Sequence, residues 1–539
     1  MSKPDDRTRK MTRGELLGAA AVAAPGALLA GRLVGGVQEA QARGVKGEPS
    51  SGAAPLAGMN AILFLTDQER AVQHFPPGWS QRNLPGFTSL QRHGLTFQNA
   101  FTNACMCSPA RTTLMTGYFP AQHGVKYTLE ESMPASEYPQ VELALSFANI
   151  SSVLSAAGYQ TIYKGKWHLS KPAQAQWQPS DVGKYGFKLW DPPDAGANQE
   201  LSEASGGTVD NDGRFMDSSG SAAEGKEGAL EYLNSRAAHN QPFFMVISLV
   251  NPHDVLFYPN TYTEGGYGAG WLEGSIKPPA TAGESLSSKP RVQKQFLELF
   301  NAGSGKIATP QMQRNYLNFY GNLMKSSDAY LVKILDTLQS SGLLENTLVI
   351  ATADHGEMGT AHGGLRQKNF NFYEESSRVP LVYSNPRLFK KPETNHSLVS
   401  HVDFLPTLAS LIEAPAAARA SWQGVDYSDQ ILSRSPKPAQ DYTVFTYDDW
   451  QSGQSKGPYP EPPNHIVSIR EQRYKLARYY DVEGKVPDQW EMYDLKVDPL
   501  EQTNLAYKHY KRNARQQREY RRLRRKLAQV EETRLQPLS

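Results

Sequence analysis

The chain has 539 residues, of which 39% are apolar, 20% charged and 10% aromatic. This length exceeds what one hydrophobic core usually holds, and the balance excludes a mostly disordered chain and a polytopic membrane protein. A net charge of +2 argues against nucleic acid as the main partner, and two cysteines, Cys105 and Cys107, cannot build a disulfide framework.

Residues 1–42 read as an export signal peptide. Arg7, Arg9, Lys10 and Arg13 form a basic start, residues 16–30 are small and apolar, and Ala40-Gln41-Ala42 offers a cleavage site. A membrane anchor is the competing reading, but Arg32 interrupts the run before the ~20 apolar residues that a spanning helix needs. The expectation is an exported protein, periplasmic or secreted, with no stable membrane span. Residues 11–17 resemble a twin-arginine signal with Gly14 where the second arginine belongs, which leaves the export route open. Residues 43–58, rich in Gly, Ala, Ser and Pro, read as a linker.

A catalytic domain is expected over residues 59–435. Residues 61–66, 159–163, 243–250 and 347–353 are short apolar runs, the mark of strands buried on both faces. Helical patterns lie between them. The clearest covers residues 314–341, with Leu317, Tyr320, Met324, Leu331, Leu335 and Leu338 on one stripe and Gly342 as the stop. Strands alternating with helices imply an α/β fold whose mostly parallel central sheet has helices on both faces. Residues 191–228 and 260–290 read as long loops framing the site entrance. From 436 to 539 the pattern shortens (442–447, 465–470, 474–480), as in a small C-terminal α+β subdomain with an antiparallel sheet. It ends in a basic helix, with ten Lys/Arg between residues 508 and 526. That helix reads as solvated and docked through Tyr520, Leu523, Leu527 and Val530, in preference to a nucleic-acid or lipid-binding segment.

In open parallel sheets, ligands bind beyond the carboxyl ends of the strands. The four apolar runs lead there into Asp67-Gln68, Lys166-Trp167-His168, Pro252-His253 and Asp354-His355. These are metal-type and anion-type ligands. The sharpest local signal is Cys107-Ser108-Pro109-Ala110-Arg111, with Pro109 suited to a first helical position and Gly117 as the stop. Cys107 would then sit at a helix N-terminus, which favours an anion. A buried inert cysteine, or half of a zinc site with Cys105, are the bland alternatives; no second cysteine pair exists to complete the latter.

The C-x-P-x-R element followed by Leu114-Met115-Thr116-Gly117 resembles the signature of the sulfatases, formylglycine-dependent members of the alkaline phosphatase superfamily. Residues 60–68, Gly165-Lys166-Trp167-His168, Pro252-His253 and Asp354-His355-Gly356-Glu357 follow in the family's order. So do Lys368, Arg378-Val379-Pro380, Ser400-His401-Val402-Asp403 and Tyr493-Asp494-Leu495. The resemblance implies an alkaline-phosphatase-like fold and a sulfuric ester hydrolase. Cys107 would be oxidised to formylglycine by a dedicated maturation enzyme. Asp67, Gln68, Cys107, Asp354 and His355 would hold one divalent ion, calcium first, with manganese or magnesium as alternatives. One hydroxyl of the hydrated aldehyde at 107 would attack, with Arg111 beside the adjacent charge. Lys166, His253 and Lys368 would hold sulfate oxygens, and His253 or Lys368 would protonate the leaving oxygen. His168 would take the proton from the second hydroxyl so that the sulfated diol collapses. The expected substrate is a sulfated small molecule or saccharide. Two rivals stand: a phosphodiester or phosphonate monoester hydrolase on the same scaffold, and a non-catalytic binding protein with unmodified Cys107. His362 and Thr128 receive no role.

Overall fold

In the computed structural model, residues 56–538 are described apart from 72–73, 131–132, 197–200, 207–208, 219, 221–225 and 434–436. The expected export signal, and the linker as far as residue 55, lie outside them. The strands are β1 (Asn60–Thr66), β2 (Gly94–Phe101), β3 (Ala104–Cys105) and β4 (Gln160–Gly165). A small hairpin, β5 (Ser205–Gly206) and β6 (Val209–Asp210), comes next, and then β7 (Phe243–Ser248), β8 (Thr347–Ala353), β9 (Leu381–Ser384) and β10 (Glu393–Ser400). The last four are β11 (Tyr442–Tyr447), β12 (His465–Glu471), β13 (Tyr474–Tyr480) and β14 (Gln489–Asp494).

Seven strands form the central sheet in the order β10-β2-β9-β8-β1-β7-β4. Only β9 runs against its neighbours, so the sheet is mostly parallel. Burial alternates by residue, as a two-residue side-chain period requires. Leu63, Leu65, Val246 and Ile350 join one core, with Leu114 and Met115 of the helix Cys107–Thr116. Ile62, Phe64, Ile247 and Val349 join the opposite core, with Leu331, Ile334 and Leu338 of the helix Pro310–Ser340. Neither face meets water, which is why these segments read as unbroken apolar runs.

The long helix begins four residues earlier than its apolar stripe suggests. Thr309 caps it by accepting from the Met312 N–H, and Pro310 occupies the first turn, where an amide hydrogen has no helical partner.

A second sheet has the order β14-β13-β12-β11-β3. Its pairs are antiparallel except β11 with β3, which runs parallel through Thr446–Ala104 and Tyr447–Cys105. The edge strand of the C-terminal sheet is thus the segment that leads into Cys107. The helix Ala514–Arg534 covers this sheet through buried Leu523, Leu527 and Val530, packed with Val467, Ile469 and Leu476. Tyr520 is only half-buried. Residues 55–539 make up one compact unit. Among the described residues, no helix is long and apolar enough to cross a membrane.

Candidate active site

The registers of the central strands bring their carboxyl ends level. Thr66 pairs with Ala353, and Leu65 and Gly165 both pair with Ser248. The next residues along each strand therefore converge: Asp67 and Gln68 after β1, Lys166 and His168 after β4, His253 after β7, Asp354 and His355 after β8. All seven are buried, none more than 5% exposed. Cys107 enters from the side, at the start of its helix. That helix begins at Cys107 and not at Pro109, so Pro109 is its third residue, still in the turn that has no amide partners to lose. Gly117 ends it in a left-handed conformation at φ 73°.

Cys107 Sγ stands 3.3 Å from His355 Nε2 and 3.6 Å from Asp67 Oδ1. His355 Nε2 lies 3.8 Å from Asp67 Oδ1 and 3.7 Å from Asp354 Oδ1. Cis ligands of a hard cation bound at about 2.4 Å stand roughly 3.4 Å apart. These donors have that spacing, and the set of two carboxylates, one imidazole and the group at 107 suits a divalent ion. Gln68 is arranged differently. Its amide oxygen accepts from Lys368 Nζ at 2.7 Å, its amide nitrogen donates to Glu357 at 2.5 Å, and its backbone N–H donates to Asp354 Oδ1 at 3.0 Å.

Arg111 ties the two carboxylates together. Its Nε donates to Asp354 Oδ2 at 2.9 Å and its Nη2 to Asp67 Oδ2 at 3.2 Å. Its Nη1 reaches Ser248 Oγ at 2.6 Å and the Lys166 carbonyl at 3.0 Å. Lys166 Nζ also donates to Asp67 Oδ2, at 2.6 Å. Burial opposes the charges of Asp67, Arg111 and Lys166, and their partners overcome it. Lys166 first, and then Arg111, hold the Asp67 carboxyl well below the usual range, while Asp354 and Asp67 raise Arg111. Two carboxylates thus face three cations, Arg111, Lys166 and Lys368, a balance that welcomes an anion.

Burial, and then the Asp67 charge, push the Cys107 thiol up to about 11. A thiolate nucleophile is disfavoured in this setting. Burial and then Lys166 push His168 well below its usual value, so its ring is neutral. Its Nε2 faces the Leu129 carbonyl at 2.5 Å and so carries the hydrogen, leaving the buried Nδ1 without a hydrogen-bond partner among the described residues. His253 is also neutral, lowered by burial in spite of Asp67, and its ring makes no hydrogen bond among the described residues.

Four groups support the site, and only the last of them, Glu357 of the Asp354-His355-Gly356-Glu357 segment, carries a sequence signal. Ser248 accepts from Arg111, and the Leu129 carbonyl fixes the His168 tautomer. Asp194 accepts from the Trp167 and His168 amides, both at 2.7 Å. Glu357 accepts from Gln68, Tyr316 and the Gly359 and Gln367 amides. Residues 191–228, expected to frame the entrance, thus also brace the strand ends. Asp212 in the same segment accepts from the Val250 and Asn251 amides.

Residues 59–414 match the sulfatase family, and residues 362–533 match the family described as N-sulphoglucosamine sulphohydrolase, C-terminal. The chain is 26% identical to an ulvan-active sulfatase of Formosa agariphila, over 83% of this chain and 77% of that protein. It is 24% identical to an N-acetylglucosamine-6-O-sulfatase of Bacteroides thetaiotaomicron, over 83% of this chain and 82% of that one. Among solved structures, a 2-O GAG sulfatase superposes with a TM-score of 0.65 at 20% identity, over 88% of this chain and 92% of that chain. The phosphonate monoester hydrolase of Agrobacterium radiobacter superposes at 0.60 with 18% identity, over 88% and 96% of the two chains, a likeness of fold. With two thirds of its length matched to one family and the buried site in place, the chain belongs to the sulfatases of the alkaline phosphatase superfamily, and it is a sulfuric ester hydrolase.

Proposed function

We propose that this protein is an exported, metal-dependent hydrolase of sulfate esters carried on a saccharide, working through a formylglycine made from Cys107. The observation that carries the reading is the placement of Cys107: buried, and between Asp67 and His355. The signal-like residues 1–42 support export, and the two saccharide-acting relatives support the substrate class.

The donor atoms of Asp67, Asp354, His355 and residue 107 would hold the ion, calcium being the reading against manganese and magnesium. When bound, the ion supplies positive charge beside the sulfate, and a formylglycine supplies a hydrate with one hydroxyl to attack and one to drive release. The chain's own groups do the rest. Arg111 helps to keep Asp67 ionised and, by donating to both carboxylates, would orient Asp67 and Asp354 towards the ion. Lys166, His253 and Lys368 would take the peripheral sulfate oxygens, replacing water with fixed donors in a dry site. Lys368 Nζ already donates to two amide oxygens, Gln68 at 2.7 Å and Gln367 at 3.5 Å. It is the group that arrives with a proton for the leaving oxygen, whereas neutral His253 must first gain one. His168 Nδ1, with its lone pair free, takes the proton from the second hydroxyl at 107.

The deciding experiment is an activity panel on protein produced with a formylglycine-generating enzyme. Sugar sulfates, an aryl sulfate and choline sulfate are set against a phosphodiester and a phosphonate monoester. We expect higher kcat/KM for the sulfates, because Lys166, His253 and Lys368 converging on the three peripheral oxygens of a compact sulfate leave little room for an alkoxy or carbon arm. A clear preference for the diester would move the protein to the phosphonate-hydrolase reading.

A further inference from the structure

The C-terminal helix has two faces with different fates. Its inner face is docked by Leu523, Leu527 and Val530. At the flank, Arg522 and Lys526 are neutralised by Glu471, at 2.6 Å each. Arg515, Arg518, Arg521 and Arg525 are all exposed, and none forms an ion pair among the described residues. Spacings of three, three and four place these four within about 120° of arc on the side opposite the leucines, along about 15 Å of helix. Like charges three or four residues apart cost a helix about 0.2–0.5 kcal/mol per pair. Glu519, four residues after Arg515, is engaged by Arg522 at 2.8 Å, and no other acid of the helix precedes Glu531. The whole chain has a net charge of only +2, so this row is a local excess and not part of a general basic field.

We propose that this arginine row is a docking surface for the chain of a sulfated polysaccharide, separate from the catalytic site. The proposal rests on the saccharide reading above. A row of guanidinium groups matches a polymer with regularly repeated sulfates, and guanidinium presents paired donors to such oxyanions. The row is also firmly joined to the catalytic half. Gln122 Nε2, one short helix beyond the Cys107–Thr116 helix, donates to the Arg534 and Gln536 carbonyls at 2.7 and 2.8 Å. A substrate long enough to span the two would lie on the row while one of its esters enters the site. A monosaccharide sulfate cannot do both. The surface therefore raises affinity for polymer over monomer and leaves the chemical step untouched.

The test uses the full chain and the quadruple variant R515Q/R518Q/R521Q/R525Q, with circular dichroism to confirm an unchanged fold. Binding of labelled dextran sulfate is measured across a salt series, with uncharged dextran and a DNA duplex as comparisons. Turnover of 4-nitrophenyl sulfate is followed in parallel. We expect the variant to bind dextran sulfate about tenfold or more weakly, with a flatter salt dependence, while kcat/KM for 4-nitrophenyl sulfate stays unchanged. C107A should bind dextran sulfate like the wild type. Equal binding by wild type and variant, with turnover intact, overturns the docking surface alone. Arginine-dependent binding without turnover of any sulfate ester overturns the catalytic reading alone. Tighter arginine-dependent binding of the duplex than of dextran sulfate at equal salt reassigns the row to nucleic acid and overturns the proposal.

Discussion

Cys105 and Cys107 are one residue apart and both buried, yet their surroundings separate them. Cys105 is a strand residue of β3 paired with Tyr447, and burial raises its thiol well above the usual value. Only Cys107 opens a helix, has Pro109 and Arg111 at the signature offsets, and meets Asp67 and His355. Peptide mass spectrometry of protein made with the maturation enzyme should therefore find the aldehyde at 107 and an unmodified thiol at 105. Full activity from protein that carries only a thiol at 107 would sink the formylglycine reading. Lys368 offers a second test. General acids contribute about 10²–10⁴-fold, and that help matters most when the departing oxygen is strongly basic. Lys368→Ala should lower kcat by about a hundredfold for an alkyl or sugar sulfate and far less for 4-nitrophenyl sulfate, which steepens the dependence on leaving-group pKa. An equal loss across the series would remove Lys368 from the proton transfer. Cys107 was readable in the sequence because it sits in the C-x-P-x-R element, and Lys368 only through its place in the family's order of motifs. Ser248, Asp194 and the Leu129 carbonyl were not. A lone serine, aspartate or backbone oxygen gains meaning only from a partner brought near by folding, 137 residues away for Ser248 and Arg111.

The same contrast separates the strands. β8, β11 and β13 match their apolar or alternating segments end for end, whereas β2, β9 and β10 carry no comparable pattern. β2 reads GLTFQNAF, and β10 is exposed or half-exposed over its first five residues. Both lie on the outer side of the sheet, where burial on one face is enough, so polar residues interrupt the run. Loops are harder still, and His362 shows why. It lies in a short turn before Lys368, with its ring stacked 3.7 Å from the Tyr373 ring. Its Nδ1 meets Glu284 at 2.7 Å, and its Nε2 faces Glu375 at 3.7 Å. Glu501 lies close by, ion-paired to Lys475 at 2.8 Å, and Lys289 holds the other oxygen of Glu284 at 3.0 Å. Burial opposes the imidazolium, and Glu284 and then Glu375 overcome it, raising His362 to about 9. Burial likewise opposes the Glu375 charge, and His362 brings it down to about 2. The stability from His362 is complete below its unfolded value of about 6.5 and is lost as pH rises through 9. That from Glu375 is complete above about 4.5 and is lost as pH falls through 2. The two share the His362–Glu375 contact, so these contributions, each on the order of 3 kcal/mol, are not to be summed. His362→Gln should lower Tm clearly at pH 6, and the gap to the wild type should narrow towards pH 9. A gap that stays constant from pH 6 to 9 would show that the imidazolium contributes nothing.

The change of pattern near residue 436 suggests a catalytic domain followed by a separate subdomain, and the packing bears on how independent the two can be. Among the described residues, hydrophobic clusters straddle that boundary, two of them as follows. Cys105, Met106, Phe370 and Phe372 pack with Phe445, Tyr447, Ile466 and Tyr479, while Phe119 and Val402 pack with Val444, Leu523 and Leu527. Polar ties cross it as well. Lys475 Nζ donates to the Phe372 carbonyl at 2.6 Å, and Arg470 holds Glu374 at 3.3 Å. Asn103 donates to the Val444 carbonyl at 2.7 Å and accepts the Val402 amide at 2.8 Å. Because β3 belongs to the second sheet and leads directly into Cys107, loosening that sheet removes the support of the catalytic helix. Opening the boundary would also expose both clusters to water at about 25 cal/mol for each Å² of apolar surface. We therefore predict that residues 59–435 and 436–539 unfold together. In a denaturant titration, sulfatase turnover, tryptophan fluorescence and far-ultraviolet circular dichroism should be lost with one midpoint. An early transition that melts the C-terminal sheet while turnover persists would show instead that Cys107 keeps its place without β11.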